Sequence, residues 1–206
     1  MIIHDVDQKS DEWNALRIGR ITGSIMHKFM TKSRKGDGLG ETSLNAVYEI
    51  MAQRLTGIDE TPDLSKNIHI QRGNELEPRA IAEYEIETFN VVKQVGFIEI
   101  DHLVGGSPDG LVGDDGLIEV KCKNNANHLR SIIDARNGII DKAHFIQMQF
   151  LMWITDRKWC DYVLYNENFK QSGDYKCLEI SRIERDELII EQIKNACNNV
   201  RIILNN

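Results

Sequence analysis

The sequence predicts an α/β (α+β) domain, and three observations support this fold class. The chain has 206 residues, of which 41% are hydrophobic and 28% charged, so it can bury a full core. Segments with helical spacing of apolar residues alternate with short apolar runs that are typical of strands. Residues 105–123 contain two Gly-rich turns around a short apolar run and then an alternating strand, which predicts a β-hairpin.

Composition excludes several classes of protein. No apolar run approaches the ~20 residues that a membrane helix needs, and the acidic N-terminus lacks a signal-peptide pattern. We therefore expect no membrane partner and a cytoplasmic location. The four cysteines are far apart and form no CxxC pair, which argues against a zinc ribbon or an iron–sulfur site. A net charge of −7 argues against non-specific coating of nucleic acid, but not against an enzyme with a local basic track.

The N-terminal region predicts two short helices. Ser10 is suited to cap the first, and the second is expected over residues 25–30. Arg17, Thr22 and Ser24 flank the start of the second helix, where exposed N–H groups favour a phosphate. The alternative is that Thr22 or Ser24 only caps the helix while the arginine is solvated.

A basic loop and a helix follow. Residues 31–40 are Gly-rich and carry Lys32, Arg34 and Lys35, so the segment is expected to be mobile. It either contacts a nucleic-acid backbone or is simply a solvated loop. Apolar residues at helical spacing then predict a helix that ends at Gly57, followed by a connector with Pro62.

The next helix is expected from about residue 72 to 90. Leu76, Ala80 and Tyr84 form its apolar stripe, and Glu77 borders that stripe. A carboxylate at the edge of a buried face needs a partner. A metal ion or its bound water is one candidate, and a salt bridge to a nearby Lys or Arg is the other.

The hairpin carries the most informative side chains. Strands are expected over 95–100, 103–107 and 117–122. Because strand side chains alternate between faces, Glu119 and Lys121 project to one side, and Asp109 can lie beside them if the strands pair. Two carboxylates and a lysine are suited to bind Mg²⁺ and orient a water. The alternative is ordinary turn chemistry on a solvated edge strand.

Three further segments complete the prediction. Residues 123–141 are expected to be irregular and partly helical, and a helix is expected over 142–155. Gln149 falls in its apolar face whereas Gln147 points away, so Gln149 either bonds to backbone or faces a catalytic water. A strand over 160–165 and an amphipathic helix over 184–204 follow, and the helix packs on the core or on another subunit.

Several motifs together identify a family. Pro108-Asp109 followed by Glu119-x-Lys121 resembles the PD-(D/E)xK nuclease signature. Further blocks resemble the phage lambda exonuclease and YqaJ-type viral recombinase nucleases: residues 16–24, Gly73-x-x-x-Glu77, residues 107–111 and 119–122, and Gln147-x-Gln149-x-x-Met152-Trp153. The resemblance implies a PD-(D/E)xK restriction-endonuclease-like core, with a central mixed β-sheet flanked by helices, in one domain over residues 1–206.

The resemblance also implies a role for each matching residue. Asp109, Glu119 and the backbone carbonyl of Val120 would be metal ligands, and Lys121 would position or activate the attacking water. Glu77 and Gln149 would hold metal-bound or nucleophilic water. The residues that would contact phosphate are Arg17, Thr22, Ser24 and Ser107, with Arg17 the candidate for a 5′-terminal phosphate.

The implied activity is digestion of one strand of linear double-stranded DNA from a 5′ end, which leaves a 3′ overhang. Two Mg²⁺ ions per site would serve as cofactor, and Mn²⁺ would substitute. The implied assembly is a homotrimeric ring that passes its product to a phage single-strand-annealing protein. The alternatives are a restriction-type or junction-resolving endonuclease and an inert DNA-binding module. A Cas4-like nuclease is disfavoured because the cysteine cluster is missing.

Overall fold

The protein is built around a five-stranded mixed β-sheet with helices on both faces, as the sequence predicts. The computed structural model describes residues 1–31, 39–61, 67–170 and 173–205. The strand order of this sheet is β2-β5-β6-β7-β8. Only β6 and β7 run parallel, and the other neighbours are antiparallel. The strands are β2 (Val92–Lys93), β5 (Gly110–Val112), β6 (Gly116–Lys121), β7 (Trp159–Tyr165) and β8 (Leu178–Glu184).

A smaller antiparallel sheet lies next to the first. It contains β1 (Ile2–His4), β3 (Phe97–Glu99) and β4 (Gly105–Gly106) in the order β1-β3-β4. Val104 also forms a parallel bridge with Ile21, which ties the N-terminal region to the start of the hairpin.

Seven α-helices are present in the described part of the chain, and they divide the core into two clusters. One cluster lies between the sheets and α2, α3, α6 and α7, and the other lies where α4 packs against the opposite face of β6 and β7. β6 is buried on both faces, so it is a central strand rather than a solvated edge. The helices are α1 (Asp11–Arg17), α2 (Gly23–Phe29), α3 (Glu41–Thr56), α4 (Ile68–Thr88), α5 (Asn125–Arg136), α6 (Lys142–Thr155) and α7 (Glu187–Leu204).

Local signals for helix ends are confirmed where they were clear. The Ser10 hydroxyl accepts a hydrogen bond from the Trp13 N–H at the start of α1. Gly57 ends α3 with φ +71°, a left-handed conformation that glycine adopts without steric cost. The side chain of Asp141 accepts from two backbone N–H groups at the start of α6, whose predicted bounds are confirmed.

Other boundaries differ from the prediction. α2 begins at Gly23 rather than at residue 25, and α4 begins at Ile68 rather than near residue 72. The strand expected over 103–107 is reduced to β4. The segment over 123–141, expected to be irregular and partly helical, contains the twelve-residue helix α5. The C-terminal helix starts three residues later than expected because β8 extends to Glu184 and Asp186 caps the helix.

Strands β1, β2 and β8 were not predicted. β1 and β2 have three and two residues, too few for a periodic pattern, and they exist because a neighbouring strand pairs with them. The predicted nucleic-acid contacts of Lys32, Arg34 and Lys35 lie outside the described residues, as does Pro62.

All four cysteines are free thiols. None of the helices in the described part of the chain combines the length and the apolar character that a bilayer-spanning segment requires.

Candidate active site

The β5–β6 hairpin brings Asp109 beside Glu119 and Val120. Gly110 pairs with Ile118 in the antiparallel register, so the residue before Gly110 lies across from Glu119. The backbone N–H of Val120 donates a 2.7 Å hydrogen bond to Oδ2 of Asp109. The two carboxylates that the sequence proposed as metal ligands therefore lie side by side at the end of a central strand.

Glu119 is a buried carboxylate with only one of its oxygens engaged. Its exposure is 1%, and its Oε1 accepts a 2.5 Å hydrogen bond from Lys121 Nζ. Its Oε2 is buried, and no described residue donates a hydrogen bond to it. Because a buried carboxylate oxygen without a partner is costly, this atom is suited to bind a ligand.

The electrostatics of the cluster favour a bound cation. Burial and the negative charge of Glu119 raise the pKa of Asp109 well above its usual value, although Lys121 opposes this. Burial acts to lower the pKa of Lys121, but the carboxylates of Glu119 and Asp109 outweigh it and raise that pKa above its usual range. Lys121 is therefore held protonated between two carboxyl groups, and one lysine compensates only part of their charge.

A divalent cation fits this donor set. Asp109, the free oxygen of Glu119 and the carbonyl of Val120 are oxygen donors, which Mg²⁺ prefers. Among the described residues, no group of three or more His, Cys, Asp or Glu side chains could hold a metal ion. A site here therefore needs the backbone carbonyl as a third donor, together with water or substrate oxygens.

Glu77 has the salt-bridge partner that one of its two interpretations predicted. Its Oε2 lies 3.0 Å from Lys9 Nζ, and its side chain is 22% exposed. After burial and Glu119, its negative charge also contributes to the raised pKa of Asp109. Glu77 thus lies at the margin of the site, and its proposed role in holding water stays a prediction.

Gln149 has the backbone partners that one of its two interpretations predicted, and its proposed catalytic role stays a prediction. Its Nε2 donates to the Glu184 carbonyl at 2.8 Å, and its Oε1 accepts from the Asp186 N–H at 2.9 Å. Both ends of the fully buried amide therefore hold the turn between β8 and α7. The sequence left both interpretations open because neither β8 nor that turn was predicted, so the partners of the amide were not visible in the sequence.

The sequence suggested that Gln147 points away from the apolar face of its helix. In the structure this side chain is not fully exposed. It is half-buried against α2, where a Cβ added at Gly23 would lie 3.3 Å from Gln147 Cγ. Gly23 precedes Ser24, so this glutamine, rather than Gln149, is the one on the side of α6 that faces the phosphate-binding candidates.

Three of the predicted phosphate ligands lie together. Arg17 Nη2 donates to Ser24 Oγ at 3.5 Å, and Ser24 Oγ lies 3.3 Å from Thr22 Oγ1. Thr22 is the N-cap residue of α2, but its side chain makes no capping hydrogen bond. Burial lowers the pKa of Arg17. Its guanidinium carbon lies 4.2 Å from the centre of the Trp13 ring. The capping alternative is therefore not realised, and both hydroxyls lie beside a guanidinium group.

The Ser107 hydroxyl has two partners within the protein, and its predicted contact with phosphate stays a prediction. Its hydroxyl donates to the Gly96 carbonyl at 2.5 Å and accepts from the Trp13 indole N–H at 2.8 Å. Its only proton is therefore already engaged. Trp13 connects this serine to Arg17, so it links the catalytic turn to the phosphate-binding candidates, a role that sequence reasoning missed.

His144 is a second residue that sequence reasoning missed. Its Nδ1 lies 2.8 Å from the Tyr162 hydroxyl. Burial and the positive charges of Lys121 and Lys123 lower the pKa of His144 to about 4. Since His144 is three residues before Gln147, it lies on the same face of α6, and this spacing is the signal that could have identified it.

Comparison with known proteins identifies the family of the chain. Residues 12–158 match the model of the YqaJ-like viral recombinase domain. No protein with curated annotation gives a significant match.

Two solved structures are similar over nearly the whole chain. An alkaline exonuclease from Laribacter hongkongensis, also solved in complex with dAMP, has 38% sequence identity and a TM-score of 0.81. The match covers 95% of this chain and 93% of that one. A phage-related exonuclease from Haemophilus somnus has 24% identity and a TM-score of 0.73. That match covers 93% of this chain and 96% of the other, and it supports the fold alone.

Proposed function

Because the chain belongs to the YqaJ-like viral recombinase family and is a nuclease of the lambda exonuclease type, we propose that it is a 5′-to-3′ exodeoxyribonuclease. Its substrate would be linear double-stranded DNA, of which it digests one strand and leaves a 3′ overhang. The observation that supports this most directly is the buried, unpartnered Oε2 of Glu119 beside Asp109 and Lys121.

Mg²⁺ is the proposed cofactor, with two ions per site and Mn²⁺ as a substitute. Asp109, Glu119 and the Val120 carbonyl would hold it. When bound, Mg²⁺ supplies positive charge at the scissile phosphate and lowers the pKa of water.

Lys121 would act as a hydrogen-bond donor rather than as a base. Its raised pKa keeps it protonated, and its bond to Glu119 Oε1 fixes its direction. A protonated lysine can orient the attacking water and stabilise negative charge that develops on the phosphate oxygens, but it cannot accept the proton of that water.

Arg17, Thr22 and Ser24 would bind the terminal 5′-phosphate. A guanidinium group with two adjacent hydroxyls offers several donors to a phosphate anion. Contact with the terminal phosphate would set the polarity, because only a 5′-phosphorylated end would place the next phosphodiester at Asp109 and Glu119. The dAMP complex of the Laribacter exonuclease supports release of 5′-mononucleotides.

The proposed assembly is a homotrimeric ring, and the proposed partner is a phage single-strand-annealing protein. A ring would reconcile a net charge of −7 with DNA binding, because only its channel needs to be positive. Light scattering tests the assembly, since a trimer has three times the 23.6 kDa of one chain.

The decisive experiment is a Mg²⁺ titration on linear duplex DNA in which one 5′-phosphorylated strand carries an internal label. We expect mononucleotide release from the 5′ end, no release without divalent cation, and no cleavage of covalently closed circular DNA. Cleavage of closed circles would identify an endonuclease instead, and release from the 3′ end would contradict the proposed polarity.

A further inference from the structure

A cavity lies just beyond the end of β6, where Lys123 follows the proposed catalytic lysine by two residues. Its volume is about 560 Å³, within the range of small-ligand sites. Tyr162 forms part of its wall and is paired in register with Glu119 on the neighbouring parallel strand, so the two side chains share a face of the sheet. The polar residues that line it include Lys123, Arg130 and Ser131, together with the carboxylates of Asp134 and Asp141.

Lys123 projects from the same side of the chain as Lys121. Cys122, between them, packs into the opposite hydrophobic cluster with Val120, so the alternation of β6 continues past its end. Two residues of extended chain place the Cα atoms of the two lysines about 6.6 Å apart. The positive charges of Lys121 and Lys123 both lower the pKa of His144, which agrees with this placement.

Lys123 is a half-buried cation with spare hydrogen-bonding capacity. Its Nζ donates to Ser131 Oγ at 2.9 Å, and no ion pair to it is found in the described ranges. Burial lowers its pKa. The two acids nearby have other partners: Asp141 accepts from the N–H groups that begin α6, and Asp134 lies 3.6 Å from Arg130. An ammonium group has three donors, so two of them remain for a ligand.

We propose that Lys123, held by Ser131, binds the phosphate that follows the scissile one on the strand being digested. Lys123 follows the proposed catalytic lysine by two residues on the same side of the chain, so an anion bound to it would neighbour the scissile phosphate, and an anion is the ligand that an unpaired ammonium group favours. This assignment rests on the proposed exonuclease function and adds to it a second phosphate subsite beyond the catalytic centre.

The first test measures binding without catalysis. We expect Lys123→Met to weaken binding of linear duplex DNA, measured by fluorescence anisotropy without divalent cation. The slope of log K against log salt concentration should become shallower by about 1, because one fewer phosphate is neutralised. The control is Lys158→Met, which removes the same charge at the opposite end of the parallel strands and leaves the slope unchanged. An unchanged slope in Lys123→Met would overturn the assignment.

The second test uses the intact protein and a modified substrate. A neutral methylphosphonate linkage is placed one position 3′ of the scissile phosphate, and release of the first nucleotide is measured in a single turnover. We expect the neutral linkage to slow the wild-type protein about tenfold and to have no further effect on Lys123→Met, because both changes remove the same contact. Independent, multiplying effects would overturn the proposal.

A released mononucleotide is the competing ligand for this cavity. If it binds there, Lys123→Met weakens inhibition by added dAMP but leaves the first turnover unchanged, and the proposal fails. If the wild-type protein releases no nucleotide from the unmodified 5′ end, the proposed function itself fails, while the binding test still reports on Lys123. Thermal unfolding of Lys123→Met checks that the variant is folded.

Discussion

Two buried carboxylates on neighbouring strands of the central sheet have opposite roles. Glu119 on β6 is 1% exposed and Asp161 on β7 is 2% exposed. Asp161 pairs in register with Ile118, so it faces the α4 side of the sheet, whereas Glu119 faces the other side. The two carboxylates are therefore nearly equal in burial and lie on adjacent strands, but they differ in their hydrogen-bond partners.

The partners of Asp161 leave neither of its oxygens free. Arg182 donates two hydrogen bonds to it, at 2.8 and 2.9 Å, and the Tyr84 hydroxyl donates a third at 2.7 Å. Glu119 has Lys121 alone and one oxygen without a donor. A carboxylate whose hydrogen bonds are complete stabilises the fold, and one left incomplete in a buried position is available to a cation and substrate.

The largest effect expected from this difference is on activity. Glu119→Gln should lower nucleotide release from linear duplex DNA more than about 1,000-fold, since it removes a charge that the proposed cation and Lys121 require. The free energy of unfolding should fall by less than about 1 kcal/mol or rise, because repulsion with Asp109 is relieved. Glu184→Gln, on the exposed side of β8, is the matched control. Near-normal activity in Glu119→Gln would show that the site has been misassigned.

The opposite result is expected for the second carboxylate. Asp161→Ala should lower the free energy of unfolding by about 3 kcal/mol, because the buried Tyr84 hydroxyl loses its acceptor and Arg182 loses its ion pair. Urea denaturation measures this loss. The activity of the folded fraction, assayed well below the unfolding temperature, should remain within about threefold of wild type. A dead but fully stable variant would remove the distinction between the two carboxylates.

Gln149 should behave like Asp161 rather than like Glu119. Gln149→Ala leaves the Glu184 carbonyl and the Asp186 N–H without partners, which should cost about 2 kcal/mol of stability. Gln147→Ala removes the same amide from the same helix without disturbing that turn, and a smaller loss of stability is expected. If Gln149→Ala instead abolished turnover without a change in stability, the structural role of this glutamine would be wrong.

The smallest expected effect concerns His144 and pH. Its pKa is lowered to about 4 in the folded protein, against about 6.5 when unfolded. Protonation therefore favours the unfolded state, and the stability present above pH 6.5 is lost as the pH falls toward 4. Between pH 7 and pH 4.5, the wild type should lose about 1–2 kcal/mol more than His144→Gln in urea denaturation. Equal losses in the two proteins would indicate that the pKa of His144 is the same in the folded and unfolded states.

The β5–β6 hairpin could be predicted from the sequence because its information is local. The turns, the alternation along β6 and the Asp109, Glu119 and Lys121 motif all lie within residues 105–123. Helix ends at Ser10 and Gly57 were also predictable, since a cap depends on neighbours a few residues away.

Local sequence does not reveal the partners of three other polar residues, Gln149, Ser107 and Glu77. Each is a polar residue whose partner is distant in sequence: the turn after β8 for Gln149, Gly96 and Trp13 for Ser107, and Lys9 for Glu77. Their residue types alone fit a catalytic or a structural role equally well. Only the partners distinguish the two roles.

The sequence by itself determined the family, the α/β fold class and the three side chains of the hairpin, because short-range spacing encodes strand alternation and turn geometry. The tertiary structure decided which polar groups were left with free hydrogen-bonding capacity. The hydrogen-bonding capacity of a buried atom depends on every group that folding brings near it. Folding left part of that capacity free on Glu119 and Lys123, whereas on Asp161 and Gln149 it is used by partners within the protein.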